Sequence, residues 1–389
     1  MKRVVTATIF GFLCITANAQ SSVTLYGRVD NGIQYQSGLP NGHRFGTESG
    51  YAEASLFGLI GDEDLGGGTR AIFQLEAAVN TFTGGSLGTL FGHVAVVGLS
   101  NERFGTIRLG DLGTQEVQWD SFYVDPQLFL NYSLATLVRG RNWSTAGNSL
   151  KYSSPNFGGL SFAAEYDLTN NTSWNSGNPG SGPGTYGQGQ GRSDGIRVQY
   201  SGAHIEAMVI YNEVRGTSGK FDNVYTASRS ILAGSLFSFD PVKIYAGYQH
   251  LSAPDASAQG YFGTNAVPAL PAGVSLPTAV DHEWIGIAWQ VNAEAALRAA
   301  CYHANANRGN GNATLYTVSG SYNLSKRTYL YAEVGYVHNS STSNIGLNDG
   351  AGDPYGPNVN NDPVVGSANI SPNYGGGQIG TFAGIVTHF

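Results

Sequence analysis

The chain has 389 residues, with 27 acidic against 20 basic side chains and a formal net charge of −7. Charged residues make up only 12%, against roughly 25% in ordinary soluble domains, while glycine (55) and tyrosine (22) are heavily used. The acidic balance argues against nucleic acid as a partner.

The first element is a leader rather than part of a fold. Lys2 and Arg3 precede an apolar run from Val4 to Thr16, and Ala17-Asn18-Ala19 supplies the small-x-small pattern of a cleavage site, so residues 1–19 read as a secretory signal peptide. Cys14 follows Leu13 rather than the small residue that precedes a lipid-modified cysteine. Removing the leader leaves 18 basic and 27 acidic residues, a formal charge of −9, and a single cysteine, Cys301, so no internal disulfide is possible.

Beyond the leader no apolar run reaches the roughly 18 residues that a spanning helix needs. The signal is instead period two. Val23, Leu25, Val29, Ile33 and Tyr35 fall on one face of a strand, and Thr24, Tyr26, Arg28, Asp30 and Gln34 on the other. Next comes "SLFGLIGDEDLGGGTRAIFQLE" (55–76), two alternating runs around Asp62, Glu63, Asp64 and three glycines. Three acids are too few for a calcium loop. A strand follows the glycines, where a phosphate loop would open a helix. The stretch reads as a hairpin turn, its glycines permitting the reversal.

The alternation returns at 160–167, 196–200, 204–212, 242–249 and 316–322. Tight links rich in turn residues (62–68, 101–105, 153–159, 201–202, 239–241, 292–293, 324–327) alternate with mostly longer segments (36–53, 112–147, 169–193, 251–280, 339–377). Strands are expected to start near Val23, Ser55, Thr69, Phe91, Thr106, Asn148, Leu160, Asp194, Ala203, Asn223, Val242, Asp281, Glu294, Ala313, Arg327 and Gln378. The fourth and thirteenth alternate weakly, so eighteen strands is the alternative to sixteen.

A chain with apolar and polar strand faces, short turns on one side and long loops on the other has one good solution in lipid. That solution is a closed antiparallel β-barrel, which pairs every backbone group without edges. The expected class is all-β, a transmembrane barrel spanning residues 20–389, wide enough for an aqueous channel. An all-β secreted domain is the plain alternative.

Six stretches, "SSVTLYGRVDNGIQY" (21–35), "GDEDLGGGTRAIFQLE" (61–76), "VGLSNERFGTIRLG" (97–110), "NSLKYSSPNFGGLSF" (148–162), "LSKRTYLYAEVGY" (324–336) and the terminal Phe389, carry a resemblance. Together they resemble the trimeric general porins of Gram-negative outer membranes, in their beta-proteobacterial form. The resemblance implies a sixteen-stranded barrel, a homotrimer in outer-membrane lipid, and passive diffusion of ions and small hydrophilic solutes. It also implies a third outward loop folded into the lumen, and an assembly role for Phe389. The chain departs from the family where basic residues are usual, carrying Leu56, Ile60 and Asp111, and it has Arg28 where an apolar residue is commoner. Weakened anion preference is the expected consequence.

A porin constriction needs basic residues on one wall facing acidic residues on the inserted loop, with low-dielectric walls focusing the field. Arg28, Arg70 and Arg108, each flanked by outward apolar neighbours, are the candidate basic wall. Residues 112–147 are the candidate constriction loop. Trp119, Phe122, Tyr123, Leu128, Phe129 and Tyr132 give it an apolar density that suits packing inside a barrel, and Asp120 and Asp125 would face the arginines. The competing readings are arginines that merely pair with neighbouring acids, and a surface loop with an aromatic patch.

Other classes are weaker. The eight histidines lack His-x-x-x-His spacing, and no metal or other cofactor is expected. The aspartates Asp349, Asp353 and Asp362 read as solvated. A barrel lipase would need a serine with a histidine partner on the outer wall, whereas His204 and Glu206 share a presumed lumen face, so an enzyme is not expected, and a barrel hydrolase ranks behind a receptor or adhesin scaffold as the alternative to a channel.

Overall fold

The computed structural model describes residues 22–39, 42–128, 130–144, 147–167, 190–216, 219–263, 269–347 and 371–389. Residues 1–19, expected to be a leader, and the aspartates Asp349, Asp353 and Asp362 lie outside the described residues.

The chain opens with β1 (Ser22–Leu39), β2 (Gly42–Ser49), β3 (Leu56–Gly66), β4 (Thr69–Asn80), the two-residue β5 (Gly85–Ser86), β6 (Val94–Asn101) and β7 (Gly105–Asp111). After a long loop come β8 (Ser149–Ser153), β9 (Leu160–Asp167), β10 (Gln190–Ser201), β11 (Ile205–Gly216), β12 (Arg229–Phe239) and β13 (Val242–Ser252). The last five are β14 (Ala279–Gln290), β15 (Ala295–Ala306), β16 (Ala313–Asn323), β17 (Thr328–Asn339) and β18 (Gly377–His388).

Every pairing between these strands is antiparallel, and β18 returns to β1 in a register that runs from Arg28 opposite His388 to Gln36 opposite Gly380. The sheet therefore closes on itself. Sixteen strands make the wall. The other two are local: β2 folds back on the outer part of β1, and β5 clips onto the end of β4. The expected starts lie close to the observed ones, with the widest gap at Asn223, whose strand begins at Arg229. Val224 and Tyr225 mimic a strand in the sequence, but they are buried in a tight turn that packs on Tyr261. The segment 36–53, expected as a solvated loop, contains β2 because the chain turns back after Leu39 and pairs with β1 from Leu39 down to Asn31.

The two faces of the wall differ as their alternation requires. Val23, Leu25, Val29 and Ile33 of β1 point outward and are exposed, while Asp30, Gln34 and Gln36 point inward and are buried. The outward face carries aromatics near both ends of the strands. Tyr35, Tyr211, Tyr248 and Tyr336 lie toward the long loops, and Tyr200, Phe239, Trp289 and Tyr322 toward the tight turns. Amphipathic rings at two levels are what a wall crossing a bilayer needs at its two interfaces.

Glycine explains one of the tightest of those turns. Gly66, Gly67 and Gly68 have φ of +81°, +63° and +76°, a left-handed region that costs other residues about 1–2 kcal/mol each. Asp64 Oδ1 accepts the Gly66 N–H at 2.8 Å, so one of the acids in this stretch is a turn residue.

Candidate channel constriction

Residues 112–144 leave β7 and run along the inside of the wall. The one-turn helix α1 (Glu116–Trp119) comes first. Its first turn presents backbone N–H groups with no helical partner, and the inward Glu165 of β9 accepts two of them, from Glu116 at 3.2 Å and Val117 at 3.0 Å. Farther along, Val124 O accepts the Trp284 Nε1–H of β14 at 2.9 Å. Gln127 donates to Thr317 Oγ1 at 2.8 Å and accepts from Ser319 Oγ at 2.5 Å, both on β16. Tyr132 N–H reaches Glu333 of β17 at 3.1 Å. On the return Gln249 of β13 donates to Asn142 at 2.7 Å, and Ser144 O accepts the Gln115 N–H at 2.8 Å, closing the loop at its root. The loop is thus fastened along the wall from β9 to β17. Its apolar residues Val117, Val124, Tyr132, Leu134 and Leu137 share one buried cluster with Ile210, Leu232, Tyr302, Leu315 and Phe382 of the wall.

The wall is shaped to receive it. Gly195, Gly234, Gly286, Gly335 and Gly380 occupy inward positions beneath Val117, Val124, Pro126 and Tyr132. A Cβ at Gly335 would come within 2.7–2.9 Å of Tyr132, and one at Gly286 within 2.5 Å of Pro126. Removing side chains from the wall along this track lets the loop backbone lie close to the sheet.

Arg141 anchors the return limb. It is 1% exposed, and its guanidinium is held by neutral groups: Nε on Ser228 Oγ at 2.9 Å, Nη2 on Ser228 O at 2.9 Å and on Asn212 Oδ1 at 2.6 Å. Burial pushes its pKa down to about 9, which still leaves it charged at neutral pH.

The charges beside the loop form a small network. Arg108, Lys151 and Glu165 are register neighbours on β7, β8 and β9, all inward. Glu116 of the loop pairs with Arg108 and with Lys151, the latter at 2.6 Å. Asp120 pairs with Arg197 of β10. Burial raises the Asp120 carboxyl above the ordinary aspartate value, against the pull of Lys151 and Arg197.

The expected site residues distribute as follows. Arg108 and Asp120 both belong to this network, each with its own ion partner. Asp125 is fully buried. It accepts the Tyr302 hydroxyl at 2.5 Å and the Gln127 N–H at 3.2 Å, so it shapes the loop from behind. Arg70 faces inward next to the Gly66–Gly68 turn, and its ion partner is the wall residue Asp62 at 3.7 Å. Arg28 also faces inward. Its Nε lies 2.9 Å from Ala54 O and 3.3 Å from Glu53 Oε2.

Leu56 and Ile60 pair directly with Arg28 and Thr24, so both are lumen-facing. Ile60 is 45% exposed there, whereas Leu56 is buried. Asp111 lies on the other face of the wall. It shares a register row with Leu25, Leu59, Leu75 and Ala95 on the outward face, and its carboxylate accepts the Gly113 N–H at 2.8 Å. Strand periodicity puts it there, two residues after Leu109. Phe389 completes the seam: Gly27 and Phe389 exchange backbone hydrogen bonds of 3.1 and 2.9 Å.

Glu53, Glu116, Lys151, Glu165 and Arg197 were not singled out from the sequence. Lys151 and Arg197 stand on polar faces of alternating strands, a signal that was available. Glu165 carries the same signal on β9, whereas Glu53 and Glu116 depend on how loops fold and left no periodic trace.

A closed barrel with an apolar outer belt, a polar interior and a long segment fastened inside it defines a membrane channel with an internal loop. A sequence profile of the Gram-negative porins matches residues 5–342; the chain belongs to that family, and is an outer-membrane porin forming a water-filled channel. Over 382 residues it is 26% identical to an outer-membrane porin protein of Bordetella pertussis, covering 87% of this chain and 94% of the relative. Its fold is similar to that of an anion-selective porin from Comamonas acidovorans (TM-score 0.71, 22% identity, 95% of this chain and 100% of the other). It is also similar to OmpT of Vibrio cholerae in a trimer form (TM-score 0.57, 14% identity, 95% and 99% covered).

Proposed function

We propose that this porin is a homotrimeric general diffusion channel of weak charge selectivity, passing ions and small hydrophilic solutes without catalysis. Segment 112–147 sets its aperture. The observation that carries the selectivity reading is the lumen face of β3. There Leu56 and Ile60 stand in register with Arg28 and Thr24, so two inward positions that could hold cations hold aliphatic side chains. Three inward cations near the loop are paired with carboxylates: Arg108 and Lys151 with Glu116, Arg197 with Asp120. Paired charges leave little net field for steering ions of one sign. The Comamonas porin is named as anion-selective; this chain is expected to fall well short of strong anion preference.

Planar-bilayer recording of the purified protein tests the reading. Stepwise conductance with a reversal potential near zero in a salt gradient is expected. Replacing both aliphatic residues, Leu56→Arg with Ile60→Arg, should raise the anion-to-cation permeability ratio about fivefold, from two added charges near the ion path. A folded trimer without conductance steps would sink the channel reading, and a strongly anion-selective wild type would sink the selectivity reading. The trimer itself is checked by a heat-modifiable oligomer band on a denaturing gel.

A further inference from the structure

The strand opposite β1 is interrupted. Ser49 of β2 pairs with Asn31, and Leu56 of β3 pairs with Arg28. Six residues, 50–55, therefore face only Val29 and Asp30. The surplus chain is turned into the lumen. Tyr51 stacks on the inward Phe382 of β18, with ring centroids 4.8 Å apart and planes within 6°. Asp30 holds the excursion by its backbone and its carboxylate. Its carbonyl accepts the Gly50 N–H at 3.0 Å, and Oδ2 accepts the N–H groups of Ala52 at 2.6 Å and Glu53 at 2.8 Å. Tyr331 donates to the other carboxylate oxygen at 2.6 Å.

The excursion delivers one carboxylate to a chosen place. Glu53 lies 3.3 Å from Arg28 Nε, accepts the Tyr329 hydroxyl at 2.6 Å and meets His388 Nε2 at 3.2 Å. Arg28 and His388 are direct cross-strand partners at the closing seam. About a quarter of the Glu53 side chain and a third of the Arg28 side chain remain exposed, so both charges are felt in the lumen. Leu56, adjacent in register, adds no charge.

We infer that Glu53 is an ion-preference residue of the channel. The inward excursion 50–55 places its carboxylate against Arg28 so that permeating monovalent ions meet a compensated pair where the wall alone would present a cation. This rests on the diffusion-channel reading and adds a second lumen element, outside segment 112–147, that sets the charge of the path.

Reversal potentials of five proteins in a potassium chloride gradient test it. Glu53→Gln should raise the chloride-to-potassium permeability ratio about threefold over wild type, because a unit charge within several ångströms of the path acts oppositely on the two ions. Arg28→Gln should lower the ratio by a similar factor. The double variant should return to the wild-type ratio. Glu102→Gln removes an equal charge from an exposed tight turn and should leave the ratio unchanged. If Glu53→Gln does not insert, Arg28→Gln carries the same test with the opposite sign. Wild-type ratios in both single variants would overturn the inference while leaving the channel reading intact. So would equal shifts from Glu53→Gln and Glu102→Gln, or a Glu53→Gln shift that persists in the double variant. A wild type without conductance steps would instead remove the reading on which the inference rests.

Discussion

Asp120 shows how one residue couples the loop to the wall. Its carboxylate is largely covered, and burial raises its pKa above the ordinary aspartate value. A raised folded-state value means the proton is taken up at higher pH than in an exposed aspartate, and the uptake stabilises the folded loop as pH falls. Protonation leaves Arg197 without its counter-charge while exposed carboxylates are still ionised. Acidification toward the ordinary carboxylate range should therefore shift the channel toward anions. Asp120→Asn should show that shift already at neutral pH, by about twofold in the permeability ratio, and should flatten the acid response; reversal potentials across a pH series check both. At this scale the sequence was informative about faces and silent about partners. Alternation alone set Arg28 and Arg108 inward. It could not tell that Asp125 would turn to Tyr302, because a loop has no period from which to read a direction.

Among elements, the wall strands were readable and the loop was readable only as apolar. Period two, turn glycines and the asymmetry of link lengths are local signals, and they located the sixteen wall strands closely. The seat of the loop is nonlocal. Gly335 and Gly380 lie far along the chain from Tyr132, and in the sequence they look like weak points of ordinary strands. Their meaning appears only when the loop lies on them. Gly335→Ala should force Tyr132 off the wall, destabilising the loop by about 1–3 kcal/mol, the usual penalty for overpacking. Single-channel conductance should become smaller or noisier, and the oligomer band should disappear at lower temperature. An unchanged conductance and melting temperature would show that the loop does not rest on this track. The break between β2 and β3 is a second nonlocal feature. Sequence alternation resumes at Ser55 and hides the inward turn of the six residues before Leu56.

For the whole molecule, closure is the decisive event. The first and last wall strands meet across the seam, and the C-terminal Phe389 exchanges two backbone hydrogen bonds with Gly27 while its ring lies over that glycine. Until this seam forms, β1 and β18 are open edges, which pair wrongly with ease. Phe389→Ala should slow barrel formation severalfold in detergent-assisted refolding, measured as the rise of the heat-modifiable band. A refolding rate equal to wild type would show that the aromatic ring has no part in closure. The glycine track has a consequence at this scale too. Each glycine under the loop spares the thickness of a Cα–Cβ bond, about 1.5 Å, and flow through a narrow tube depends on the square of its radius or more. A wall stripped of side chains along one path is therefore a hydraulic economy: the barrel houses an internal loop for mechanical definition while giving up as little cross-section as its backbone permits.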